Sequence, residues 1–348
     1  MESFNLSKRK EEILFKSVED YIRFASPITS MSVHTRHLSN ISTATLRNEL
    51  NTLEAMGYLK QLHTSSGRVP TSKAYRLYVD KIMKENKFNK KDLFVIKNLF
   101  KERSSLLSEI ISNIAKTVSE VTNYPTVVLL NGFNNLTIQN IKIIPLIDKS
   151  VLVLISTSTG IINNNIKINE VLSEQNCIDA SNFLTNRFSG KTISVMITDM
   201  KKLVKEFNNE IKDYENIFNV LINGLIDLTE KKSKEFSVKG ATKLLENPEY
   251  NNIENAKKVF NVLEDNEKLE NLFEENSLED ITFSIGEENV SEDLTNCSVI
   301  KANYNVNGEN IAQIGVIGPE RMDYAKIAGA LKYIVDEMKN LTKLDKGD

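Results

Sequence analysis

The run ISTATLRNELNTLEAMGYLKQLHTSSGRVPT, residues 41–71, decides how the rest of the chain is read. Ser42 is a natural N-cap, because its hydroxyl can accept one of the orphan N–H groups of a first helical turn. Ile41 just outside the helix and Leu46 at its fourth position have the spacing of a hydrophobic staple. Leu46, Leu50 and Leu53 follow the i, i+4, i+7 rule, so one stripe faces a core. At roughly 100° per residue the far side carries Ala44, Asn48, Asn51 and Ala55, flanked by Arg47 and Thr52. Small residues let that side approach a surface closely, while Arg47, Asn48 and Asn51 supply hydrogen-bonding groups. Gly57 then stops the helix.

Residues 58–62 are short and strand-like, and they run into a compact loop, His63-Thr64-Ser65-Ser66-Gly67-Arg68. Val69-Pro70-Thr71 leads into a further helix with Tyr75, Tyr78, Val79 and Ile82 on one face. Upstream, Ser7 can cap a first helix whose buried stripe is Leu14, Val18, Tyr21, Ile22 and Ala25, and Pro27 lies beyond its end. Residues 30–37 fit a second helix, and residues 38–40 the turn out of it. Helix, helix, turn, helix, strand and polar loop is the layout of a winged helix-turn-helix. In that layout the third helix enters a major groove and the wing reaches phosphates or a minor groove. An amphipathic helix followed by an ordinary surface turn is the competing reading.

The 348 residues suggest two or three domains. With 41% hydrophobic and 26% charged residues, a soluble globular protein is expected. The opening MESFNLSKRKEEIL lacks the apolar segment of a signal peptide. No apolar run approaches the ~18–20 residues of a membrane span. Cys177 and Cys297 are far apart, with no CxxC spacing, which argues against structural zinc or a disulfide framework and for a reducing cytoplasm. The net charge of −3 hides a polarity: residues 1–90 hold 15 Lys/Arg against 9 Asp/Glu, and residues 91–348 hold 29 against 38. All three histidines, His34, His37 and His63, lie in the basic segment. A basic end on an acidic body points to an anionic partner for one end only.

Beyond a basic hinge at residues 87–91, a helical pattern carries Leu107, Ile110, Ile114, Val118 and Val121 and ends at Pro125. It suits either a helix packed on its own sheet or one paired with a partner subunit. From residue 126 the period changes. Residues 127–130, 138–146, 151–156 and 161–168 are rich in β-branched side chains between Asn/Gly/Asp turns and are expected as strands. Helices are expected near 177–188, 199–228, 239–245 and 254–273, with a polar run at 231–235. Strands return at 281–285, 298–306 and 311–317, with Asn307-Gly308 as a hairpin turn, and residues 324–341 form a closing helix.

No P-loop, HExxH, GxSxG or dinucleotide fingerprint is present, so no enzyme, no cofactor and no metal is expected. His34 and His37 are three apart on a helix, but no Cys or acidic cluster completes a metal site. Glu287 and Glu288 in IGEEN diverge as neighbours and are expected to be a solvated strand end. Gly318-Pro319 should turn the chain, with Arg321 binding orphan carbonyls or a carboxylate there.

The run STATLRNELNTLEAMGYLKQLHTSSGRVPTSKAYRLYVD resembles the N-terminal part of the HrcA family, heat-inducible repressors of bacterial chaperone operons. FSIGEEN and GVIGPERMDYAKI near the C-terminus resemble the same family, and the likeness runs from about residue 6 to residue 341. The resemblance implies an α+β protein: a winged helix-turn-helix at 1–88, a GAF-like regulatory domain at 89–140 and 230–348, and an inserted dimerisation segment at 141–229. It also implies a homodimeric, cytoplasmic, nucleoid-associated repressor on an inverted-repeat operator before chaperone genes, kept active by the chaperonin. On this reading Arg47, Asn48 and Asn51 address base edges, with Ala44 making room. Ser42, Thr43, His63, Ser65, Ser66 and Arg68 address the backbone and flanks. Where family members commonly carry a basic residue at the start of the second helix, this chain has Met31. A small-molecule sensor or enzyme with an accessory DNA-binding domain is the alternative, and a protein-binding module is a third.

Overall fold

The computed structural model describes residues 6–61, 67–82, 95–96, 107–131, 136–147, 149–157, 160–168, 172–207, 234–273, 279–306 and 309–344. The fold is mixed α and β. The N-terminal unit comprises α1 (Lys8–Phe24), α2 (Ser30–Arg36), α3 (Thr43–Ala55), a hairpin of β1 (Leu59–Gln61) and β2 (Arg68–Pro70), and α4 (Ser72–Ile82). Ser7 caps α1, and Leu14 and Val18 are buried as expected, joined by Ile13, Ser17 and Asp20. Ala25 is not on that stripe. It is the left-handed C-cap at φ 52° and points to solvent, because the helix has already ended. Thr29 and Ser32 form a reciprocal capping box on α2, each satisfying the other's backbone N–H at 3.0 Å.

In the body, α5 (Leu107–Thr122) precedes β3 (Thr126–Asn131). β4 (Ile138–Leu146), β5 (Ser150–Thr157) and β6 (Gly160–Lys167) form a three-stranded antiparallel meander. Helices α6 (Glu174–Phe188) and α7 (Ile193–Phe207) come after it. The chain then returns through β7 (Lys234–Lys239), α8 (Ile253–Glu264), α9 (Asn266–Phe273), β8 (Ile281–Ile285), β9 (Cys297–Val306), β10 (Glu309–Pro319) and α10 (Tyr324–Leu344). The main sheet has the order β7-β3-β10-β9-β8, antiparallel throughout. One face carries Ile300, Ile314 and Val316 against Ile114 and Val118 of α5 and Ile327 and Leu331 of α10. The other carries Val127, Leu129, Val299 and Ile317 against α8 and α9. The apolar stripe of α5 is therefore satisfied by its own sheet.

Three expectations are corrected. Residues 234–239 are a strand, where a polar run was expected at 231–235. They pair with β3 at the edge of the sheet. The helix expected at 239–245 is a single 3-10 segment, Ala241–Glu246, entered through Gly240 at φ 72°. The helix expected at 254–273 is two, because Asp265 ends the first and caps the second through Glu267 N at 2.9 Å and Lys268 N at 3.2 Å. The boundary expected at 140/141 falls inside β4, all of whose residues belong to the small sheet. The hinge at 87–91, residues 208–228 of an expected helix and the turn at 307–308 lie outside the described residues.

Candidate nucleic-acid interface

Leu46, Leu50 and Leu53 are fully buried, which fixes the rotation of α3 about its axis. The opposite side then presents Ala44, Arg47, Asn48, Asn51, Thr52 and Ala55 to solvent. Ser42 caps the helix, accepting from Thr45 N at 3.2 Å, and Gly57 stops it at φ 77°. The entry turn is held by His34, whose Nδ1 lies 2.8 Å from the Ile41 carbonyl. Asp20, its side chain only 5% exposed, ties α1 to the end of α2 through His37 at 2.7 Å and Arg36 at 3.2 Å. His34 and His37 thus serve different partners. Among the described residues no cluster of His, Cys, Asp and Glu could hold a metal.

The hairpin is fastened to both sides. Ile28 N and Arg68 O, and Arg68 N and Ile28 O, bond at 2.7 and 2.8 Å, so Ile28 adds a short third rung beside β2. Gly67 is required there: a Cβ would stand 2.5 Å from the Ile28 carbonyl oxygen. Arg68 turns back onto α3. Its Nε donates to Glu54 Oε2 at 2.8 Å, a second nitrogen donates to Asn51 Oδ1, and its side chain is 11% exposed. The guanidinium thereby staples the hairpin to the open face of α3.

Among the described residues Arg47 and Asn48 have no side-chain partner, and Asn51 shares its carbonyl with Arg68. Thr43 is half-buried, while Ser42 and Ala44 are exposed. Met31 is 61% exposed in the first turn of α2, where it offers no charge to an anion. His63, Ser65 and Ser66 lie outside the described residues. The Asp20 clip and the Arg68 staple were missed in sequence because their partners are 17 and 14 residues away, with no local pattern joining them.

A second polar region joins this unit to the body, and both C-terminal motifs take part. Arg76 of α4 donates from Nε to Glu288 Oε1 at 2.8 Å and from another nitrogen to the Phe283 carbonyl at 2.7 Å. Glu288 also accepts Ile285 N at 2.8 Å; like Glu287 it is exposed at the end of β8, as expected, but it is also held in this ion pair. Burial alone would raise its pKa, but the Arg76 and Ile285 bonds hold it below the usual range. Arg321 donates to Glu249 at 3.1 Å and to the Ile22 carbonyl at 3.1 Å.

A family model described as the HrcA protein C terminal domain matches residues 108–328. The heat-inducible transcription repressor HrcA of Clostridium tetani is 34% identical over 344 residues, covering 98% of this chain and 97% of that protein. Its counterpart in Acetivibrio thermocellus is 32% identical, covering 96% and 95%. A crystal structure of a hypothetical protein shares the fold at TM-score 0.69 and 21% identity, covering 97% of this chain and 99% of that one. The class is a regulator of transcription and not an enzyme. The chain belongs to the HrcA family of heat-inducible transcription repressors.

Proposed function

We propose that the chain is a homodimeric, sequence-specific DNA-binding repressor whose N-terminal unit is a winged helix-turn-helix. The observation that carries this reading is the open face of α3. Two hydrogen-bonding side chains without a side-chain partner among the described residues, Arg47 and Asn48, stand beside Ala44 on a helix whose other stripe is fully buried. An Arg–guanine or Asn–adenine pair contributes roughly 1–3 kcal/mol of discrimination. The β1–β2 hairpin is the wing, held at a fixed angle by Arg68, with Ser42, Thr43, His63, Ser65 and Ser66 addressing the backbone.

The body supports the dimer. α6 runs along the outer edge of β4, where Ser181 and Thr185 hydroxyls take the free N–H groups of Ile143 and Ile141 at 2.9 and 3.0 Å, and one face of the small sheet is buried through Ile143, Val151, Val153 and Ile155. The other face pairs Ile144, 40% exposed, with half-buried Leu152 and Leu154 nearby. Ile147 at the adjoining turn is fully exposed. Exposed apolar side chains rimmed by polar ones, here Lys142, Asn163 and Asn165 on the same face, suit an association face, and a second copy is its natural occupant. The inserted dimerisation segment then starts with β4 at residue 138, within a GAF-like body of residues 107–131 and 234–344. Two-fold symmetry presents two identical readers to an inverted repeat. The site of action is the cytoplasmic nucleoid, before chaperone genes, with the chaperonin supporting the active state. Among the described residues no helix is long and apolar enough to cross a membrane.

The test is a band-shift titration with a duplex selected by the full-length chain from a randomised library, against scrambled competitor and across salt. Specific binding that weakens steeply with salt is expected, because Lys/Arg contacts release counterions. Equal affinity for selected and scrambled duplexes, or no salt dependence, would overturn the reading.

A further inference from the structure

The two C-terminal motifs meet the N-terminal unit at two separate points, and both contacts are made by arginine. At the first, Arg76 binds Glu288 through two nitrogens, one at 2.8 Å, and also the Phe283 carbonyl. A planar guanidinium held by these three acceptors, with Asp80 of its own helix 3.5 Å away as a fourth, resists rotation in a way that a single lysine charge does not. Gly286 beside it stands at φ 61°, and a Cβ there would meet Ser72 Oγ of α4 at 2.6 Å. The loop therefore approaches α4 as closely as a backbone can. At the second point, Arg321 reaches the Ile22 carbonyl in the last turn of α1. That carbonyl is one of the helix's orphan acceptors, and Glu249 holds the guanidinium from the body side at 3.1 Å.

Between these points the junction is only partly closed. Tyr75 packs on Tyr324 with ring centroids 5.9 Å apart. Beside that pair lies a cleft of about 480 Å³, lined by Tyr21, Lys60 and Tyr75 on one side and Glu249, Lys258 and Glu320 on the other. The base of the hairpin is separated from α8 by this space. The N-terminal unit is joined to the body by a shared apolar core that includes the Tyr75–Tyr324 pair, by a Ser72–Glu320 hydrogen bond and by the two arginine clamps, which fix its angle at either end of the junction.

Resting on the DNA-binding, dimeric reading above, we propose that Arg76, Glu288 and Arg321 are positioning residues that set which half-site spacing the dimer accepts. Each base pair added between half-sites moves the second by ~3.4 Å along the duplex and turns it by about 35°. A clamped pair of readers cannot follow both changes. A released pair can.

The experiment uses the full-length chain and its Arg76→Glu, Glu288→Arg and combined variants. Affinity is measured for a library-selected inverted repeat, for the same repeat with spacers lengthened in single-base-pair steps, and for an isolated half-site. Each single reversal is expected to keep half-site affinity within about twofold and to lower discrimination between spacings by about tenfold. The combined variant restores the pair with opposite polarity and should recover discrimination. Arg321→Gln is expected to lower it in the same sense. Unchanged discrimination in the single variants would overturn the proposal, as would lost half-site affinity that the combined variant does not rescue. Failure of the unaltered chain to prefer any duplex would overturn the DNA reading itself, and is seen before any variant is made.

Discussion

Three residues near one another on the N-terminal unit carry different duties. Arg47 and Asn48 have no side-chain partner among the described residues, and the carboxylate nearest in sequence logic, Glu54, is already bound to Arg68. Removing Arg47 therefore costs the fold little. Arg47→Ala and Asn48→Ala are expected to relax base preference by about 1–3 kcal/mol each, with non-specific binding and melting temperature nearly unchanged. Equal losses on selected and scrambled duplexes would make Arg47 a backbone contact. Arg68→Ala should behave differently, since it strands a half-buried carboxylate and frees the wing from α3. We expect a stability loss of about 1–2 kcal/mol, seen first in the melting curve. An unchanged melting temperature with weakened binding to every duplex would instead place Arg68 on a phosphate.

At the scale of the elements, what could be read from sequence was what neighbours in sequence decide. Ser42, Gly57 and the Leu46/Leu50/Leu53 stripe act within one turn or two, so the start, end and buried face of α3 were legible. The strands β3 to β6 were legible for the same reason, because β-branched runs between Asn and Gly turns leave little choice. β7 was not, since its start reads as part of a polar run and only pairing with β3 makes it a strand. Arg321 was expected to bind a carbonyl or a carboxylate. It binds both, but the carbonyl belongs to Ile22, 299 residues earlier, which no local pattern could show. Two predictions belong here. Gly67→Ala places a Cβ on the Ile28 carbonyl and is expected to cost about 1–3 kcal/mol, loosening the hairpin while α3 stays folded. Hydrogen exchange at Arg68 and Val69, compared with Leu50, checks it; uniform protection would contradict it. The second concerns pH. Glu288 has a lowered pKa in the folded chain, so its contribution is present above the unfolded carboxylate value and is lost as pH falls through the folded one. The chain should therefore melt higher than Glu288→Gln at neutral pH, and the gap should close on acidification below about pH 4.5. A gap that widens in acid would reverse the assignment.

For the whole molecule the decisive arrangement is a basic reader, with 15 Lys/Arg against 9 Asp/Glu over residues 1–90, on a body of opposite charge. A modest positive excess on a single DNA-binding unit gives limited affinity, which the proposed dimer raises by engaging two at once. Linking two readers makes the second contact intramolecular and can raise overall affinity by roughly 10²–10⁴-fold without a new contact. In the proposed dimer the small sheet supplies the apolar face for that link, and the distance of Ile144, Leu152 and Ile147 from α3 in the chain lets the link be cut without touching the N-terminal unit. Leu152→Asp places a charge on the half-buried face while Val151 and Val153 stay on the buried one. The expected outcome is a folded monomer by sedimentation, with half-site affinity retained and affinity for the inverted repeat reduced to about that of a half-site. Heat should then release the variant from the repeat at lower temperature than the unaltered chain, because each reader dissociates alone. A variant that remains dimeric, or a monomer that still holds the repeat as tightly as the unaltered chain, would remove the small sheet from the assembly and leave the source of two-fold recognition elsewhere in the body.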